Sequence, residues 1–365
     1  MFRKIISVAA CLLMAAAASI PQTSIAAPPL KKVRIVVGTA LLNVSYPWLN
    51  LPRALGYWKD EGYDVDVVPL APPAQAITLL LAGQADLAQV NASVVVQAHA
   101  INHEQVKVAM LNGVIDWSVG VLADGPIKSV ADLKGKSIGA FGIASGGVAL
   151  LKAYLQDNGI DPDHDVKIIS VGGGAPAVEA LRSGNVQALI FWGSAMASFE
   201  NAGLKLRYLR GGDWRRLPDY TLAVTQKTVD ADPKMVEAIA RGAARATLFA
   251  LTNPDCVRKI QWKTWPSTKP TGSTDQATLI RWDMNNLNAQ LDTLRDAFNL
   301  NGGKYYGNLD PAVYGRLQDF MLKTKQIDKT VPLSDYAVGI PDFYKHVNDF
   351  DADAVKKAAL SCAGW

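Results

Sequence analysis

Two stretches of this chain, 101 residues apart, carry the same cassette: AITLLLAGQADLAQVN from Ala76 to Asn91 and AVEALRSGNVQALIFW from Ala177 to Trp192. In each, an alanine is followed by Leu at the fourth residue and Gly at the seventh, and then by a short apolar run. Leucine at that spacing shares a helical face with the alanine, glycine suits a left-handed cap, and the apolar run predicts a buried strand. The unit is helix, glycine stop, strand. Two copies predict two similar α/β lobes, and ligands of open α/β sheets sit beyond the carboxyl ends of the strands. The expectation is a clamshell with its site in the cleft.

The first residues predict where the chain works. Arg3 and Lys4, then IISVAACLLMAAAASI and PQTSIAA, read as a secretory signal peptide over residues 1–26, cleaved after Ala26. VAAC at Val8 to Cys11 superficially resembles a lipoprotein box, but its cysteine would interrupt the apolar core and leave Leu12 to Ile20 unexplained. No later segment offers about 18 uninterrupted apolar residues, so the mature chain is expected to be soluble and periplasmic. Cleavage leaves 339 of 365 residues, enough for two domains, and lowers the formal charge from +4 to +2. No basic tract suggests nucleic acid as a partner. Cys256 and Cys362 survive cleavage and could pair in an oxidising compartment or stand as two buried thiols.

Along the chain, KKVRIVVGTA predicts a strand, GYDVDVVPL a second, ADLAQV and VKVAMLNGV two more, with helices between them. The pattern restarts at KSIGAFG, passes through ASGGVALLKAYLQDNG, DVKIISVGG and the second cassette, and continues with LKLRYL and YTLAVT. Asp232-Pro233 caps a long helix to Leu251, and the remainder reads as mostly helical. The exchanges between lobes are placed near residues 118–124 and 220–226. Lobe 1 is then discontinuous, 27–119 plus 225–365, lobe 2 is the insert 120–224, and a two-stranded hinge joins them.

RALGYWKDEGYDVDVV, LLLAGQADLA, SVADLKGKSIGAF, GIDPDHDVKIISVG and ALRSGNVQALIFW resemble, in this order, the landmarks of ABC-transporter substrate-binding proteins of the nitrate/sulfonate/taurine branch. The similarity runs from about Val33 to Ala223, and PLSDYAVGIPDFY resembles the closing segment of that family. The resemblance implies a type II periplasmic binding fold, a mixed sheet flanked by helices in each lobe. It also implies delivery of a small solute to an inner-membrane ABC permease driven by its ATPase. Gln187 stands where the family often has Asp, and Trp192-Gly193-Ser194 lacks the acidic residue of some members. The rival that the resemblance raises is an enzyme of thiamine-pyrimidine synthesis on the same fold, which carries a cysteine-rich iron motif absent here. Transcription-regulator effector lobes share the clamshell, but an exported N-terminus and the lack of a DNA-reading helix pair speak against that class.

The loops after strand ends supply the candidate ligand residues. Thr39, Asn43, Ser45, Tyr46 and Trp48 follow the first strand, Pro73, Ala74 and Gln75 precede the first cassette helix, and Asn91 and Ser93 follow its strand and could cap the next helix. Ser145, Gly146 and Gly147 open one helix, Gly174, Ala175 and Pro176 another, and Trp117, Trp192, Ser194 and Trp214 complete the set. Helix starts such as SGG and GGGAP present free N–H groups, suited to a carboxylate or sulfonate. The first lobe offers no Arg or Lys in these loops, while Arg215 and Arg216 lie beside Trp214. The expected ligand is therefore a small organic solute, neutral or singly negative, with a ring or apolar part on tryptophan. A monomer is expected.

Other constellations fail. SVGGGAPAV lacks the Gly-Lys-Ser/Thr of a phosphate loop, and Ile143 occupies the glycine position that a nucleophile elbow at Ser145 needs. His99 and His103 have the spacing of a zinc pair, but His164 and His346 are distant in sequence and a solvated helix end is the expectation. No cofactor and no metal are expected.

Overall fold

A computed structural model describes residues 29–39, 41–70, 75–143 and 145–365. The signal-peptide reading, Pro73 and Ala74 lie outside the described residues. The first half of the chain runs β1 (Lys31–Val37), α1 (Pro47–Ala54), α2 (Tyr57–Asp60), β2 (Tyr63–Pro69), α3 (Gln75–Leu81), β3 (Leu87–Val90), α4 (Ala92–Ala100) and β4 (Val106–Leu111). Then come β5 (Ser118–Leu122), β6 (Ser137–Ala140), α5 (Gly146–Asp157), β7 (Lys167–Ser170), α6 (Ala175–Arg182), β8 (Ala188–Phe191), α7 (Gly193–Asn201) and β9 (Leu206–Leu209). The chain ends with β10 (Thr221–Thr225), α8 (Gln226–Ala231), α9 (Pro233–Thr252), α10 (Pro254–Thr264), α11 (Gln276–Leu300), α12 (Pro311–Lys323), α13 (Phe343–Val347) and α14 (Ala352–Ser361).

The strands form two five-stranded sheets of the same topology, β2-β1-β3-β10-β4 and β7-β6-β8-β5-β9. In each, the first three strands pair in parallel and the fourth is antiparallel to both its neighbours. The cassette strands β3 and β8 hold the same central place, and all four residues of each are buried. Gly83 and Gly184 both adopt left-handed backbone, φ 68° and 77°, which ends the cassette helices as their spacing predicts.

Alternate residues of the first sheet feed two cores. Val33, Ile35 and Leu87 pack with α1, α9 and α11, whereas Val36, Ala88 and Val108 pack with α3, α4 and α12. The second sheet is covered by α5 on one face and by α6 and α7 on the other. Burying both faces accounts for the nearly unbroken apolar composition of β3, β4 and β8.

The chain passes from one sheet to the other twice, in residues 112–117 and 210–220. Sequence alternation places these exchanges at 118–124 and 220–226, which are β5 and β10 themselves. Pairing leaves Thr221–Val224 with the first sheet and Ser118–Val119 with the second. The two passages run antiparallel and bond to each other. The N–H of Asn112 donates to the Tyr220 carbonyl at 2.6 Å, that of Asp219 to Gly113 at 2.9 Å and that of Ile115 to Leu217 at 2.9 Å. This is a two-stranded hinge.

A second bridge between the sheets is made by α11, which packs on α10 and also on α7. Asn285 Nδ2 donates to Asn201 Oδ1 at 2.8 Å, Asn201 Nδ2 to the Trp282 carbonyl at 2.9 Å, and Ser198 Oγ to Asn286 Oδ1 at 3.1 Å. Among the described residues no helix is long and apolar enough to cross a membrane.

Candidate functional site between the two sheets

The strands β3 and β8 end at Asn91 and Trp192, and each is followed at once by a nine-residue helix, α4 or α7. Neither Asn91 nor Trp192 caps its helix with its own side chain. The caps come from the hinge. Asp116, in the first passage, accepts the N–H of Gly193 on Oδ2 at 2.9 Å, at the start of α7. Asp219, in the return passage, accepts the N–H of Ala92 on its backbone carbonyl at 3.1 Å, at the start of α4. Its carboxylate accepts Asn91 Nδ2 at 2.6 Å and Trp117 Nε1 at 3.3 Å. Each passage thus brings an acid to the positive end of one cleft helix, a favourable placement for negative charge.

Both carboxylates are almost fully buried, Asp116 at 3% and Asp219 at 4% exposure. Burial pushes Asp116 up to about 6, against the pull of the Gly193 N–H and the more distant Arg215. Burial also pushes Asp219 up to about 7, and the charge of Asp116 adds to the rise. Asp116 Oδ1 and Gln89 Nε2 are buried without a hydrogen-bond partner among the described residues. Gln89, on β3, accepts Trp48 Nε1 on its Oε1 at 2.9 Å, which leaves the amide nitrogen free.

Aromatic rings surround these groups. The ring centroids of Tyr46 and Trp48 are 5.7 Å apart, those of Trp48 and Tyr220 5.9 Å, and those of Trp117 and Trp192 5.5 Å. Tyr46 and Tyr220 are held above the usual phenol range, first by burial and then by the negative charge of Asp116 and Asp219. Gly147, the second residue of α5, lies flat against Trp117, and a Cβ built there would stand 2.1 Å from the indole ring. Gly147→Val is therefore expected to lower stability by about 1–3 kcal/mol, as overpacking does, and to displace the Trp117 N–H from Asp219. Thermal unfolding and tryptophan emission check this, and an unchanged melting temperature would contradict it.

Of the other residues expected from the sequence, Thr39 lies beside Tyr46, Ser45 Oγ donates to the Asn286 carbonyl at 3.4 Å, and Asn43 Oδ1 accepts the Ser45 N–H. A small cavity of about 20 Å³ at the hinge is lined by Asn91, Ser93, Trp117, Gly146, Pro218 and Asp219. It joins residues of both sheets, and on this measure it has room for about one water. The Ser145 hydroxyl is buried and unpartnered among the described residues, so no base is positioned on it. Ser194 is half-buried in the first turn of α7, with its carbonyl accepting Ser198 Oγ. Gln75, Gly174, Ala175 and Pro176 are exposed.

Several expectations need correction. Asn91 turns its side chain to Asp219 instead of capping α4, because the buried carboxylate is the stronger acceptor. Trp214 packs in the second-lobe core with its ring on Tyr154, centroids 5.4 Å apart, rather than on the aromatic group at the hinge. Arg215 is committed to Asp296 at 2.5 Å and Arg216 pairs with Asp213 at 3.6 Å. Gln187 serves the far end of its sheet, where its amide accepts the Ser137 N–H and donates to the Gly184 carbonyl. His99 is not solvated. It is 6% exposed, bonded to the Val106 carbonyl, and held below the usual histidine value by burial. Among the described residues no group of three or more His, Cys, Asp or Glu is placed to hold a metal ion.

Asp116, Asp219, Gln89 and Tyr220 are the site residues that sequence reasoning misses. A lone acid in the apolar run VIDWSVGVL was the available signal, since an unpaired Asp is rarely buried without a reason.

The NMT1/THI5 like family matches residues 51–256, more than half of the chain. The chain belongs to this family. A curated relative named "Putative thiamine biosynthesis protein", from Haemophilus influenzae, is 27% identical over 305 residues, 82% of this chain and 89% of its own length. Among solved structures, the periplasmic aliphatic sulphonate binding protein SsuA from Escherichia coli superposes with a TM-score of 0.63 at 16% identity, covering 86% of this chain and 99% of that one. The desulfurization enzyme DSZB superposes with a TM-score of 0.56 at 16% identity, over 87% of this chain and 98% of the other. At such identities the likeness is one of fold. The two-lobed type II binding fold and the family resemblance read from the sequence both stand.

Proposed function

We propose that this NMT1/THI5-like protein is the periplasmic solute-binding component of an ABC importer, which takes up a small organic solute between its lobes and hands it to a membrane permease. The observation that carries the reading is the convergence, at a two-stranded hinge, of buried polar groups and aromatic rings from both sheets: Gln89, Asn91 and Tyr46 from one, Trp117 and Trp192 from the other. Closure of lobes around a solute requires affinity that differs between open and closed forms, and groups from both sides supply it. The sulphonate-binding protein of the same fold supports the transport role, and so does the exported N-terminus expected from residues 1–26.

Small-angle scattering with and without solute tests this. A decrease in radius of gyration at saturating solute is expected, and no change with any solute of a broad screen would overturn the reading. Turnover of a substrate by the isolated protein would favour an enzyme instead. The single pair of cysteines outside residues 1–26 is joined in a disulfide, which leaves no thiol in this part of the chain for redox chemistry.

A further inference from the structure

We propose that Asp116 and Asp219 make the hinge site selective for an organic cation, an amine or amidinium group carried on a flat ring, in place of the neutral or anionic solute that the charge-poor loops suggest. This rests on the solute-binding reading above. Each carboxylate is buried, yet neither has a cation as its partner. Among the described residues, Asp219 receives two neutral side-chain N–H donors, and Asp116 receives one backbone N–H while its Oδ1 receives nothing. The nearby arginines are engaged elsewhere, Arg215 with Asp296 and Arg210 with the Tyr208 ring, 5.0 Å from its centroid.

If the Asp116 side chain served only to end α7, neutral Asn or Ser would cap as well, and Asp219, which meets α4 through its backbone carbonyl, would need no charge at all. The empty Oδ1 acceptor would also have no purpose. A bound cation answers both points, because it offsets one of the two negative charges and donates to that oxygen. The half-buried rings of Tyr46 on one side and Trp192 on the other offer aromatic surface to a flat cation, whereas Trp48 is wholly buried and one face of Trp117 is covered by Gly147. The free Gln89 Nε2 adds a donor for a ring nitrogen or carbonyl of the same ligand. Anions meet the opposite situation, since the ends of α4 and α7 already face carboxylates.

Calorimetry and thermal shift on the mature protein at pH 8 would compare benzamidine with benzamide, its neutral isostere, and with benzoate and benzenesulfonate, alongside a panel of aryl and alkyl amines and amidines. The expected result is that cations stabilise the protein, and that the best binds at least about tenfold tighter than its neutral isostere. Asp116→Asn and Asp219→Asn, each checked by circular dichroism for retained fold, should lower cation affinity about tenfold or more and change neutral-isostere affinity less than about threefold. Binding of anions without cations, cation affinity unaltered in both variants, or no response to any cation would each overturn the proposal. Scattering separates its failure from that of the receptor reading. Compaction by an anion or a neutral solute leaves the receptor standing and removes the charge selectivity, whereas no compaction by any class removes the receptor.

Discussion

Asp116→Asn is expected to make the unliganded protein more stable at pH 8, by about 2 kcal/mol, and no more stable at pH 4. The side chain is 3% exposed and its Oδ2 accepts the Gly193 N–H at 2.9 Å. Asparagine can keep that bond through its carbonyl oxygen while removing the charge. The native carboxyl is pushed from its ordinary 3.8 up to about 6, with burial as the largest cause. A folded-state value above the unfolded one means that the folded protein binds the proton more tightly. The stabilisation is complete below about pH 4 and is lost as the pH rises through about 6, so wild type weakens across that window and the variant does not. A shift of about two units corresponds to about 3 kcal/mol, and a buried amide without a second partner takes back part of it. Relief of Asp219, whose own rise owes something to Asp116, adds in the same direction. Urea unfolding of both proteins at pH 4 and pH 8 measures the difference. An equal gap at the two values, or none, would mean that the carboxylate is compensated in the fold. A gain in stability alongside a loss of cation affinity would identify Asp116 as a group kept for binding at the expense of folding.

Much of the architecture was legible because glycine and burial leave marks that need no tertiary knowledge. Gly83 and Gly184 end their helices in left-handed backbone, and the runs LAQV and ALIF are buried throughout, so the paired cassettes occupy matching places in matching sheets. The passages between sheets were legible only to within a few residues. DWSVGVL is extended from end to end, and periodicity carries no information about which sheet a strand will join. The aromatic half of the site could be read, since Trp117 and Trp192 adjoin strand termini and Trp48 opens the helix after the first strand. The acidic half could not. An Asp beside a strand reads as a turn or a cap, and only the assembled hinge shows that Asp116 caps a helix 77 residues away. For the same reason Arg215 and Arg216 looked available next to Trp214 although their partners are Asp296 and Asp213. Local spacing reports elements, whereas charge pairing depends on which elements meet.

Cys362→Ser is expected to cost the protein about 3–5 kcal/mol, and treatment of wild type with a reductant should cost nearly the same. The disulfide joins Cys256 on α10 to Cys362 at the end of α14 across 106 residues, a span for which loop closure in the unfolded chain is worth about 4.7 kcal/mol in the entropic account. Contacts that do not need the bridge reduce the loss. Asn253 Nδ2 donates to the Ala359 carbonyl at 2.9 Å, and α14 also packs on α9. The two cysteines are not equivalent, which supplies an internal control. Cys256 is wholly buried, whereas Cys362 is half-buried, so Cys256→Ser should cost about 1–3 kcal/mol more by burying a hydroxyl. The double variant should fall no further than Cys256→Ser, because either substitution alone already opens the loop. Chemical unfolding with and without reductant tests the set, and thiol titration of the native protein should find neither Cys256 nor Cys362 free. Two reactive thiols with unfolding indifferent to reductant would overturn the expectation. Neither cysteine is part of the hinge cluster around Asp116 and Asp219. Solute affinity in Cys362→Ser should therefore match wild type at temperatures where the variant stays folded, which separates the staple that holds the C-terminal helix from the groups that hold the ligand.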